Sequence, residues 1–242
     1  MNMSLLLLVS CTRLYQLEAR LFEAEIQNAE QEIRLAELEN ELARQAASAG
    51  PSAADEGAAQ TLYEQAMTFY EDQAYEQATI FFAQLQAQYS GTRAAQKGER
   101  ILTELQVFGK AVPDSLNVEH WYQGEAVDLH SENPTIIVFW EEWCPHCRRE
   151  VPNLNETFLQ YQDQGLNVIG LTRVSRSSTD EAVTQFIEEN NIAYPMAREN
   201  GDSATYFSIR GIPAVAVVQN GVVVWRGHPG RIREDMLTAW LQ

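Results

Sequence analysis

The sequence predicts an α/β domain over residues 112–242, preceded by an all-α region. Two observations carry the α/β part. Thr135–Trp140 is a continuous apolar run after Pro134, which fits a strand buried on both faces. Asn220-Gly221 joins two apolar runs, Ala214–Val218 and Val222–Trp225, as the turn of a tight β-hairpin does. The α part rests on residues 14–45, which contain neither Pro nor Gly and are dominated by Glu, Ala, Leu, Arg and Gln.

The totals bound the function. A chain of 242 residues holds one generous domain or two modest ones. With 45% hydrophobic and 21% charged residues it is not a disordered chain. A net charge of -17 argues against nucleic acid and anionic membrane surfaces as partners. Cys11, Cys144 and Cys147 are the only cysteines, too few for a disulfide framework, and a structural zinc site usually needs four ligands. No metal and no cofactor are expected beyond the Cys144–Cys147 pair.

Residues 1–11 read MNMSLLLLVSC. The apolar run at residues 5–9 is too short for a membrane-spanning helix, which takes about 20 residues, but it suits the end of a secretory signal with small Ser10 before the cut. Leu8-Val9-Ser10-Cys11 resembles the lipobox of bacterial lipoproteins, although Met1–Ser4 lacks the basic residues with which such signals begin. The resemblance implies lipid on Cys11 and a periplasmic, membrane-anchored protein. Thr12, where inner-membrane sorting favours Asp, leans towards the outer membrane. The alternative is an incidental cysteine in a frayed terminus.

Residues 14–45 form a predicted coiled-coil helix. Leu14, Leu21, Asn28, Leu35 and Leu42 recur every seven residues, and Leu17, Ala24, Gln31, Leu38 and Gln45 follow three further on. The seam predicts a homo-oligomer, with Asn28 fixing register at a cost in stability. Ile26 and Ile33 fall off the seam. The competing reading is one amphipathic helix lying on another domain. Residues 46–58 (AASAGPSAADEGA) read as a flexible linker.

Residues 59–110 return to helical periodicity. Small Ala66 and Ala78 suit close approach of two antiparallel helices, with Phe69, Tyr70, Tyr75 and Phe82 filling the seam. The string LYEQAMTFYEDQAYEQATIFFAQLQAQYS resembles a tetratricopeptide repeat, a unit of about 34 residues. Residues 92–108 supply a third helix. Coiled coil followed by such a repeat also resembles the periplasmic cell-division coordinators of Gram-negative bacteria, which implies a binding module.

After the strand at 135–140 comes Glu141-Glu142-Trp143-Cys144-Pro145-His146-Cys147-Arg148-Arg149-Glu150-Val151-Pro152. Strand, turn, then helix start gives the C-x-x-C its meaning, because a helix N-terminus stabilises a thiolate. Cys144 is expected to be the exposed, attacking thiol, and Cys147, one turn in, the shielded resolving thiol. His120, His130 and His228 show no metal-ligand spacing and read as surface or locally bonded side chains.

The string FWEEWCPHCRREVP resembles the active site of the thioredoxin superfamily, within it the TlpA/ResA-like extracytoplasmic branch. The resemblance covers about residues 112–242. It implies a thioredoxin-like fold, a central mixed sheet flanked by helices, with a second strand at 166–174 and a closing helix at 231–241. It makes Trp143, Pro145, His146 and Ile212 tuning residues and Ile212-Pro213 the cis-proline loop facing the cysteines. It assigns Glu150 to the buried glutamate that relays a proton at Cys147, with Glu142 as second choice. Val138 stands where thioredoxin has a buried aspartate. Pro-His between the cysteines occurs in oxidants and in reductants. Direction stays open, with reduction favoured.

The implied function is extracytoplasmic thiol–disulfide exchange with client proteins, regenerated by an upstream redox partner. The alternative is an envelope scaffold whose coiled coil and repeat unit carry the main role, with the redox domain acting on one docked partner.

Overall fold

The computed structural model describes residues 23–41, 50–176 and 178–242. The chain divides into two compact units, Met1–Ala54 and Asp55–Gln242. In the first, residues 23–41 form helix α1, exposed along its whole length. Leu35 and Leu38 of the predicted seam are 59% and 50% exposed, and off-seam Ile26 and Ile33 are exposed too. Leu14, Leu17, Leu21, Leu42, Gln45 and Cys11 lie outside the described residues.

Three helices open the second unit: α2 (Ala53–Glu71), α3 (Tyr75–Tyr89) and α4 (Arg93–Leu105). Helix α2 begins inside the segment expected to be linker. Its Ala-rich start has high helix propensity, and Asp55 and Glu56 in its first turn complement the helix dipole. Glu56 also accepts from the Arg93 N–H at 3.3 Å, and Ala59 is fully buried. Ala66 and Ala78 are fully buried as well. Tyr63 meets Phe82 and Phe69 meets Phe81, at ring separations of 5.9 and 4.9 Å. Thr92 caps α4 by accepting from the Ala95 N–H at 3.2 Å. Helix α4 presses on α3 through Gly98, where a Cβ would sit 3.0 Å from Leu85 and Phe82.

The chain then runs directly onto the edge of a sheet. Gly109 N–H donates to the Val223 carbonyl at 2.8 Å, Val223 N–H to Lys110 at 2.9 Å, and Val112 N–H to Gly221 at 2.8 Å. The sheet holds β1 (Val118–Gln123), β2 (Thr135–Trp140), β3 (Asn167–Thr172), β4 (Met196–Glu199), β5 (Ala214–Gln219) and β6 (Val222–Gly227). Their order is β1-β4-β3-β2-β5-β6. Strands β2, β3 and β4 are parallel, and β1, β5 and β6 pair antiparallel to their neighbours. The sheet is therefore mixed, as expected. Asn220 and Gly221, with φ of 53° and 73°, make the left-handed turn between β5 and β6 that Asn-Gly favours.

Strand β2 lies at the centre and is buried throughout. Period-two alternation sends Ile136, Val138 and Trp140 into one core layer, with α2–α4 and α5 (Pro145–Tyr161). Ile137 and Phe139 enter the opposite layer with Val112, Leu129 and Phe207. Helices α6 (Asp180–Glu189), α7 (Asp202–Tyr206) and α8 (Glu234–Trp240) complete the unit. Helix α8 starts later than expected because Pro229–Arg231 forms a separate 3-10 turn. His228 Nδ1 caps that turn, accepting from the Gly230 N–H at 3.1 Å.

Candidate active site

The site lies where β2 ends and α5 begins. Cys144 is the N-cap of α5, with extended backbone (φ −83°, ψ 113°), and its Sγ accepts from the Cys147 N–H at 3.4 Å. Pro145 occupies the first helical position, where its missing N–H costs no helix bond. An anionic sulfur at Cys144 thus faces the free N–H end and positive pole of α5.

Both cysteines are thiols in the structure, and both are buried. Cys147 is wholly enclosed, as expected of a resolving thiol. Cys144 departs from expectation: only 4% of its surface is exposed. The Ile212 carbonyl lies over its sulfur, 3.9 Å from Sγ, and takes the thiol proton when Cys144 is protonated. The Ile212–Pro213 peptide bond is cis, as the resemblance implied. Tertiary folding thus brings a loop 68 residues downstream onto the first cysteine.

Burial pushes the Cys147 thiol well above its ordinary pKa. Its interaction with Cys144 pushes the same way, the Glu141 backbone bond opposes, and the Glu141 charge adds to the rise. Cys147 is therefore held as a neutral thiol.

Glu141 was passed over by the sequence reading, which named Glu150 and then Glu142. Glu141 is 4% exposed. Its carboxylate accepts from the Trp143 indole N–H at 2.6 Å, from the Ser175 hydroxyl, and from Arg173 at 3.2 Å. Arg173 also approaches buried Glu199, at 3.9 Å. Trp143 is held on its other face by Arg176, whose guanidinium carbon stacks 3.7 Å from the ring centroid. No local signal distinguishes Glu141 from Glu142: they are consecutive carboxylates on one turn.

Glu150 is buried, at 8% exposure, but its carboxylate pairs with the adjacent Arg149 at 2.9 Å. Glu142 pairs with Arg148 at the surface of α5. Val138 packs in the same core layer as Cys147. His146 borders a cleft of about 570 Å³ that also takes in Gly211–Ala214, Gly227, His228 and one face of α4. His228 was read from the sequence as a surface or locally bonded side chain. The fold sets Gly227 and His228 beside the cis-proline loop as well.

Of the other histidines, His120 packs edge-on against Tyr122 and His130 meets Asp114 at 3.3 Å. Both are locally bonded, as read from the sequence.

Residues 109–226 match the AhpC/TSA family. They form a mixed-sheet domain of thioredoxin-like fold that is similar to that family. The domain is similar to thiol-disulfide oxidoreductase ResA of Halalkalibacterium halodurans, 23% identical over 123 residues, covering 50% of this chain and 68% of that protein. It is 25% identical to ResA of Oceanobacillus iheyensis over 107 residues, 44% of this chain and about half, 54%, of that relative. Among solved structures, a thioredoxin-like protein in its oxidised form matches with a TM-score of 0.49 and 23% identity, over 55% of this chain and 95% of the other. Helix α4 packs against β6 of this domain.

Proposed function

We propose that the chain is an extracytoplasmic thiol–disulfide oxidoreductase that exchanges disulfides with client proteins through Cys144 and Cys147. One observation carries the reading. The first cysteine caps a helix N-terminus under the carbonyl of Ile212, which precedes a cis-proline, and the second lies one turn deeper as a neutral buried thiol.

In the reducing direction, the Cys144 thiolate attacks one sulfur of a client disulfide, and the other client sulfur leaves as a thiolate. The client is then bonded to Cys144 beside the Ile212–Pro213 loop. Cys147 gives up its proton and attacks the Cys144 sulfur, and the second client sulfur departs. The client gains two electrons, the Cys147 proton passes to its second sulfur, its first sulfur takes a proton from water, and the enzyme is left as the disulfide. An upstream dithiol partner restores it. Oxidation of clients is the same sequence reversed.

The test uses the full chain. Cys144→Ser abolishes exchange, and Cys147→Ser accumulates client bonded to Cys144. A fully active Cys144→Ser protein ends this reading. Equilibration with glutathione buffers gives the direction: a potential near −270 mV marks a reductant and one near −120 mV an oxidant.

The cellular setting belongs to the same proposal. The lipobox-like residues 8–11 support a lipid on Cys11 and a periplasmic face, the outer membrane favoured. Among the described residues no helix is long and apolar enough to cross a membrane. The heptad pattern, with Leu35 and Leu38 exposed on α1, supports self-association. The scaffold alternative draws on the repeat-like unit at 59–110. Cutting the chain at residue 112 is a poor way to separate the two, because buried Glu104 of α4 pairs with Arg226 and Arg231 beyond the cut.

A further inference from the structure

We propose that α4 and the Arg210–Ala214 loop form a recognition groove for the client segment carrying the attacked cysteine, and that the groove selects segments with an acidic side chain beside that cysteine. The proposal rests on the thiol–disulfide reading above and names the substrate class for it.

The groove is the 570 Å³ cleft, within the range of ligand-binding clefts. It begins at His146, two residues after Cys144, and passes Ile212, whose carbonyl covers the Cys144 sulfur. A chain bonded to that sulfur leaves the site past this loop. The opposite wall is α4, through Gln96, Glu99, Arg100 and Thr103. A second, smaller cleft of about 270 Å³ lies on the Trp143 side, where Arg173 and Arg210 balance buried Glu141 and Glu199 and leave no net charge. An acidic segment therefore gains its charge advantage on the α4 side.

Charge counting gives the selectivity. Arg100, Arg210 and Arg226 line the groove together with Glu99 and Glu104. Glu104 is 2% exposed and already engaged, by Arg100 at 3.5 Å, Arg226 at 3.4 Å and Arg231. Three guanidiniums against two carboxylates leave one net positive charge along the groove lining. At the mouth Arg210 meets Glu99 at 3.7 Å, with both side chains mostly exposed. Such a pair is weak and exchanges readily for a client carboxylate. The remainder of a chain of net charge -17 repels an acidic segment, so the groove is where one is held.

Burial is the main cause that holds His228 below its ordinary pKa; Glu150 opposes it, and Arg100, Arg231 and Arg149 add smaller lowering effects. An extended client segment crossing the groove presents alternate side chains to α4 and to the loop, so the residues flanking its cysteine are the ones read.

The test uses full-length reduced protein and two peptides, each a mixed disulfide with thionitrobenzoate, with Asp or Lys on both sides of the cysteine. Attack by Cys144 on the peptide sulfur releases the coloured thiolate. The expected result at low ionic strength is a kcat/KM about ten-fold higher for the Asp peptide, falling towards parity as salt rises. Arg100→Gln/Arg210→Gln brings the ratio within two-fold, while exchange with neutral hydroxyethyl disulfide is unchanged and thermal melting shows the variant folded. Equal rates on both peptides in the native protein overturn the proposal, as does a preference that survives in the variant. Glutathione disulfide separates the two anion sources: if it alone loses rate in the variant, the groove reads a small anionic thiol and the client-segment proposal is wrong. Failure of hydroxyethyl disulfide exchange in the native protein instead indicts the thiol–disulfide reading itself.

Discussion

Glu104 couples the helical unit to the thioredoxin fold, and Glu104→Gln measures that coupling. Arg226 is only 7% exposed at its side chain, and burial already lowers its pKa. Removing the Glu104 charge leaves a buried guanidinium without a counter-ion, which costs about 3–5 kcal/mol. Arg226 keeps its bonds to the Phe207 carbonyl at 3.2 Å and the Ser208 carbonyl at 2.9 Å, so the lower end applies, about 3 kcal/mol. The compact unit runs from Asp55 to Gln242, a size at which each kcal/mol shifts Tm by about 2–4 °C. Melting followed by near-ultraviolet circular dichroism therefore shifts down by about 6–12 °C. Replacing both partners, Glu104→Leu with Arg226→Leu, recovers the part of the loss that comes from Arg226, while Arg231 still lacks its carboxylate. The double-mutant cycle isolates the coupling. A single-variant loss under about 1 kcal/mol shows that water reaches the cluster and that α4 is not locked to β6 by charge.

Cys147 makes the reduced protein sensitive to alkali. Its folded pKa is raised, so the stability it contributes is complete below the unfolded thiol pKa, about 8.5, and is lost as pH rises above it. Urea unfolding of the reduced protein falls by up to about 1.4 kcal/mol between pH 8.5 and 9.5, and Cys147→Ala removes that slope; an unchanged slope refutes the burial argument. Glu141→Gln keeps the partners of Trp143 and Ser175 but removes a charge that disfavours the Cys147 thiolate. Thiolate absorbance in Cys144→Ser/Glu141→Gln therefore appears at lower pH than in Cys144→Ser, and a midpoint that stays put or rises contradicts the assignment. Leu35→Glu with Leu38→Glu places charge on the exposed seam of α1, and sedimentation velocity then reports the monomer. Native protein that already sediments as a monomer counts against the coiled coil.

The local features of this protein were legible from sequence. Cys144 at a strand-to-helix junction, the Asn220-Gly221 turn and the buried run of β2 each depend on residues a few positions apart. Half-polar strands gave no such pattern: β1 is VEHWYQ, with alternation broken by two register shifts, and β4 is four residues long. The linker expectation failed over Ala53–Ala58 because composition alone does not reveal that Ala59 is buried and that Glu56 meets α4.

At the site, sequence alone pointed to two cysteines of fixed spacing at a helix start, and the family resemblance to an Ile-Pro expected to face them. Which carboxylate is buried beside them was decided by tertiary structure, since Glu141 and Glu142 differ only in which way the turn points them. The groove was decided there too. Its floor joins Glu104 to Arg231, 127 residues apart. Pairings of that separation leave no trace in local pattern, because burial, the quantity that makes a charge pair matter, exists only once distant segments exclude water from one another.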